Sequence, residues 1–143
     1  MKVSYRKLLF DISHLIIANM QAGIKKQIGV DGNVFKPLKP ATIKAKIRHG
    51  SATPTMRMRD TGDYLENGYG FSIQQADTVA VIFPQGTEHQ SGKATYREIA
   101  GYNQDSRSWH FGVSEDTSRK IDTSISHYID KVVDDTLKPL DAK

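Results

Sequence analysis

Both ends of the chain repeat apolar residues at three- and four-residue steps, so helix claims the flanks and the sheet is left to the middle. Near the N-terminus the repeat is Leu8/Leu9, Ile12, Leu15/Ile16, Met20, Ile24 and Ile28. This spacing predicts a helix over 4–28, with Ser4 as its N-cap. Leu8, Phe10 and Ile17 add a second apolar strip. A helix that is apolar on more than one side is buried on more than one side. Either the domain wraps that strip or another subunit covers it, and Phe10 and Ile17 are the expected contacts. Near the C-terminus Ile121, Ile125, Tyr128/Ile129, Val132/Val133 and Leu137 give one apolar face. They predict a helix over 115–137 with Ser114 or Asp116 as cap. The opposite face carries Asp122, Asp130, Lys131, Asp134 and Asp135, Pro139 stops the helix, and 138–143 form a tail.

The middle reads differently. Tyr69, Phe71 and Ile73 alternate with small or polar residues, and Val79, Val81 and Phe83 alternate again after a short connection. This is the pattern of an antiparallel hairpin. Trp109, Phe111 and Val113 suggest a third strand over 108–113. Pro40 suits the first turn of a short basic helix over 40–48, with Ile43 and Ile47 as its apolar edge. Residues 60–68 suggest one or two helical turns capped by Asp60 or Thr61. Residues 84–106 are rich in Gly, Ser and Gln and read as a long projecting surface loop. The expected fold class is α+β, one domain over 1–143. A small antiparallel sheet packs against a long N-terminal helix and a C-terminal helix.

A chain of 143 residues, 38% hydrophobic, can hold one core without staples. It has no cysteine, hence no disulfide and no thiolate metal site. Asp11 and His14 break the first apolar run, which therefore does not read as a signal peptide. No apolar stretch of about 18 residues suggests a membrane span.

The charge is unevenly placed. Residues 1–59 carry twelve Lys/Arg and two acids, while 60–143 carry eight Lys/Arg and fourteen acids. Within 36–59 there are seven basic residues and no acid: Lys36, Lys39, Lys44, Lys46, Arg48, Arg57 and Arg59. Such a run is either a solvated face, a contact for phosphate backbone, or an electrostatic match to the acidic half of a neighbouring copy. Lys44, Lys46, Arg48, Arg57 and Arg59 are the expected contacts for DNA or for an acidic partner.

Signals for catalysis are sparse. The five histidines show no zinc-ligand spacing, and there is no nucleophile-elbow sequence. Glu88 and His89 suggest an acid/base pair at the edge of a polar loop. The alternative is that His89 and Gln90 hydrogen-bond loop backbone or a neighbouring subunit, and this is the reading preferred here. Arg107, Trp109 and Phe111 suggest either a stacking platform for nucleic acid or half-buried strand residues. No enzymatic role, cofactor or metal is expected.

Four short patterns occur in order: Phe35-Lys36-Pro37-Leu38-Lys39-Pro40-Ala41-Thr42, Asp60-Thr61-Gly62-Asp63-Tyr64, Glu88-His89-Gln90-Ser91-Gly92, and Arg107-Ser108-Trp109-His110-Phe111-Gly112-Val113-Ser114. With a helix on either side, the series resembles the phage virion morphogenesis family, the tail-completion and head–tail joining proteins of tailed bacteriophages. It departs from the family pattern at Phe35, Tyr64, Ser91 and Ser108. The resemblance implies a structural subunit in the neck or tail of the virion, assembled in the host cytoplasm as a ring of copies such as a hexamer. It implies contacts with the tail tube, tail terminator or neck-adaptor proteins, and a channel through which DNA passes. The motif residues Phe35, Leu38, His89 and Gln90 would then join Phe10 and Ile17 at subunit interfaces. A DNA-binding module using the 36–59 segment is the competing reading, and a small hydrolase centred on Glu88 and His89 is a second.

Overall fold

The structure is a computed structural model that describes residues 4–59, 62–86, 94–105 and 110–138. The first helix, α1, runs Arg6–Lys26. Its N-cap is Tyr5 rather than Ser4, although the Ser4 hydroxyl accepts weakly from the Arg6 amide at 3.4 Å. Gln27 ends it in a left-handed conformation (φ 58°) two residues before the expected stop. The Gln27 side chain is fixed there: its Oε1 accepts from the Arg57 amide at 2.6 Å, and its Nε2 donates to the Ile24 carbonyl at 2.6 Å.

The second helix, α2, is Pro40–Arg48, with proline in the first turn as the sequence requires. A third, α3, is Asp63–Asn67 between Gly62 and Gly68. Gly62 has a φ of 86°, which favours glycine, and a methyl on Gly68 would meet the carbonyl and ring of Tyr64. The expected caps Asp60 and Thr61 lie outside the described residues.

Strands β1 (Tyr69–Gln74) and β2 (Val79–Pro84) form the expected antiparallel hairpin, with Phe71 opposite Ile82 and Ile73 opposite Ala80. Its turn holds Gln75, Ala76 and Asp77 at positive φ. Asp77 accepts from Arg6 at 3.0 Å, which ties the turn to the start of α1.

Two expected segments differ in their secondary structure. Residues 84–106 are not one surface loop, because Tyr96–Asp105 is a helix, α4, that packs on β2. Thr95 and Glu98 start it reciprocally. The Glu98 carboxylate accepts from the Thr95 amide at 2.8 Å, and the Thr95 hydroxyl accepts from the Glu98 amide at 3.2 Å. Tyr96 and Ala100 are buried on its inner face. The third strand is also absent among the described residues, whose sheet has two strands. Residues 110–113 instead form an irregular connection that buries His110, exposes Val113 and opens Gly112 to a φ of 147°.

The last helix, α5, is Glu115–Leu137. Ser114 is its N-cap and accepts from the Thr117 amide at 3.2 Å. The core consists of Met20, Ile24, Phe35, Tyr64, Leu65, Tyr69, Tyr96 and Ala100. Burial of each large apolar side chain contributes about 1.5–3 kcal/mol. Helix α1 lies at the centre of the fold, touching both strands on one side and α5 on another. α5 runs antiparallel to it: Ser114 bonds Asn19 near the end of α1, and the Tyr128 hydroxyl donates to the Ser4 carbonyl at its start. The fold class is α+β, as expected, with α5 joined to the sheet layer through α1.

Candidate assembly surfaces

The C-terminal helix is apolar over a wider arc than one neighbour covers. Thr117, Ile121, Ser124, Tyr128 and Val132 recur at three- and four-residue steps and are buried or half-buried. This row faces α1, the one described element that packs substantially on α5. A second row lies beside it at i, i+4 spacing. Ile125, Ile129, Val133 and Leu137 are 36%, 53%, 47% and 49% exposed. The row also outruns α1. Tyr128 already lies against Ser4 and Tyr5, with the two tyrosine rings 6.0 Å apart. Residues 129–137 therefore extend about 13 Å beyond that point. A continuous exposed apolar row marks an interaction surface more strongly than scattered exposed residues do.

The basic segment divides into two groups. Lys46 Nζ donates to the carbonyls of Thr53 (3.0 Å) and Met56 (2.6 Å). Arg57 donates to the carbonyls of Lys36 and Pro37. Lys46 thus holds the loop after α2 against that helix, and Arg57 holds it against the segment before α2. Arg59 is half-buried, its guanidinium on the Met56 sulfur at 3.3 Å. Partial burial holds the Arg57 guanidinium below its ordinary pKa. Lys44 and Arg48 are exposed and make no ion pair among the described residues, like Lys36 and Lys39. Ile47 is exposed beside them, and Ile43 is half-buried. Lys46 and Arg57, expected as contacts for DNA or an acidic partner, thus donate within the fold itself.

The remaining expected interface residues scatter. Phe10 is exposed, and its ring meets His14 at 4.5 Å and Phe71 at 5.5 Å, both edge-on. Ile17, from the same strip, packs against the core instead. Phe35 is a core residue, because the chain after α1 folds back so that its amide donates to the Gln27 carbonyl at 2.8 Å. Leu38 is half-buried next to α2. His89 and Gln90 lie outside the described residues, as do Glu88, Arg107 and Trp109. Phe111 is half-buried and stacks on Tyr69, with centroids 6.0 Å apart.

A cleft of about 370 Å³ opens between α1, the turn at 29–32 and the first turn of α5. Its lining includes Lys26, Asp31, His110 and Ser114. Ser114 is engaged as a cap and with Asn19 (3.1 Å), and His110 with the Tyr64 hydroxyl (2.8 Å). Among the described residues no group of three His, Asp or Glu is placed to hold a metal ion. No described helix is long and apolar enough to cross a membrane.

In the sequence, Ile125, Ile129, Val133 and Leu137 fall on one apolar face with the residues that α1 covers. Helical spacing shows that a face is apolar but not how much of it one neighbour covers. Compared with known proteins, the chain significantly matches no family model, no curated protein and no solved structure.

Proposed function

We propose that this chain is a structural subunit of a phage neck or tail, completing the tail or joining it to the head as a ring of identical copies. The observation that carries self-association is the exposed row Ile125, Ile129, Val133 and Leu137, which lies beside the row already used by α1. The ordered motif series supports the phage role. Its partners would be other copies and the proteins of the tail tube, tail terminator or neck adaptor. The purified protein should show a mass several times that of one chain by light scattering, and larger complexes with tail components. A single-chain mass at every concentration up to the hundreds-of-micromolar range would overturn this reading.

One observation favours a second reading, a DNA-binding module. Lys36, Lys39, Lys44 and Arg48 are exposed and without an acidic partner among the described residues. Affinity of the monomer for duplex DNA that falls steeply with salt would support it.

A further inference from the structure

We propose that the C-terminal half of α5 docks antiparallel on α2 of a second copy of this chain. Its exposed apolar row would meet Ile43 and Ile47, and Asp130 and Asp134 would face Arg48 and Lys44. The inference rests on the reading of the chain as a self-associating subunit.

The complementarity is written into both helices. On α5, Ile129 and Val133 are each followed by an acid, Asp130 and Asp134. On α2, Ile43 and Ile47 are each followed by a base, Lys44 and Arg48. Each helix therefore carries an apolar row flanked on its +1 side by a row of one charge, opposite in sign on the two helices. The two charges of each row are four residues apart, about 6 Å along the axis. All four side chains are exposed, and none makes an ion pair among the described residues.

Handedness selects the orientation. In a right-handed helix the +1 residue is turned by about 100° in a fixed sense. When two helices face each other in parallel, their +1 rows fall on opposite sides of the contact. When they are antiparallel, the +1 rows fall on the same side. Only the antiparallel arrangement sets Lys44 beside Asp134 and Arg48 beside Asp130.

The contact is not made within one chain. α2 packs substantially on no other described helix or strand of its own chain, and α5 packs on α1. The two surfaces are different, so the contact repeated head-to-tail closes into a ring when the rotation permits, and the same contact made reciprocally closes a two-fold dimer.

Two double variants test the contact, Asp130→Lys with Asp134→Lys and Lys44→Glu with Arg48→Glu. Each should weaken self-association by about tenfold or more, since like charges then face each other. An equimolar mixture should recover association in sedimentation, reaching the wild-type mass where the ring holds an even number of copies, because the two variants alternate and each supplies the partner the other needs. Circular dichroism should show wild-type helicity, and the milder pairs Asp130→Asn/Asp134→Asn and Lys44→Gln/Arg48→Gln should give intermediate losses. Wild-type association in either reversal variant overturns the contact and leaves the subunit reading standing. So does a mixture of folded variants that fails to recover. A Lys44→Glu/Arg48→Glu protein that loses binding to duplex DNA but keeps its wild-type mass assigns the basic row to nucleic acid and overturns the contact. A wild-type protein that is monomeric throughout overturns both the contact and the subunit reading. A rescued dimer in place of a ring upholds the contact and overturns the ring.

Discussion

The hydroxyl of Tyr64 lies 2.8 Å from Nε2 of His110, and both side chains are buried. The bond joins α3 to the connection that leads into α5, across 46 residues of sequence. The Tyr64 ring also meets Tyr69 and Tyr96, at centroid distances of 5.6 and 6.3 Å. A polar pair therefore sits within an aromatic cluster that fixes where the last helix begins.

Tyr64→Phe keeps the ring and deletes the hydroxyl, leaving a buried imidazole nitrogen without this partner. The expected loss is about 1–2 kcal/mol. Urea unfolding of wild type and variant, compared at their midpoints, measures it. Unchanged midpoints would show that the bond contributes nothing net.

Alkaline pH should unfold the protein through the same cluster. Burial pushes the Tyr64 hydroxyl up to about 12. Tyr69 is raised as well, by burial first and by the adjacent Tyr64 second. In the unfolded chain both ionise near 10. A folded value above the unfolded one means stability that is full below about pH 10 and falls as pH rises toward about 12. Denaturation at pH 8 and pH 11, with tyrosinate absorbance followed in parallel, should show the decline. Equal stability at both values would contradict it.

Two lysines two residues apart should behave differently. Lys46→Met removes two hydrogen bonds to the Thr53 and Met56 carbonyls and should cost about 1–2 kcal/mol. Lys44→Met touches no such bond and should stay within about 0.5 kcal/mol of wild type. Thermal melts of the two variants decide this, and amide exchange over 51–57 should quicken only in the first.

Thr95→Ala should destabilise α4 by about 1 kcal/mol, since the Thr95 hydroxyl accepts from the Glu98 amide and opens the helix. Fluorescence-monitored urea unfolding provides the measurement. A change of less than about 0.3 kcal/mol would mean that packing of Tyr96 and Ala100, not the cap, starts this helix.

Much of the fold was legible because it depends on local periodicity. α1, α2, the hairpin and α5 each repeat their apolar residues at the spacing of the element they form. The Ser114 cap was legible for the same reason, as a polar residue immediately before a periodic run. α4 was not, because Gly101 and the polar residues around it dilute its apolar content. The Thr95-x-x-Glu98 spacing was the signal that marked it.

The sequence by itself determined that α1, α2, the hairpin and α5 form where they do, and that basic and acidic charge lie in separate halves. These follow from interactions within a few residues of one another. Tertiary structure alone decided that Phe35 is core, that Lys46 and Arg57 are structural donors while Lys44 and Arg48 are free of ion pairs among the described residues, and that His110 is buried. It also decided that α1 covers only one row of the apolar face of α5. Burial and pairing depend on which distant segments meet, and a side chain's own sequence neighbourhood carries no record of that meeting.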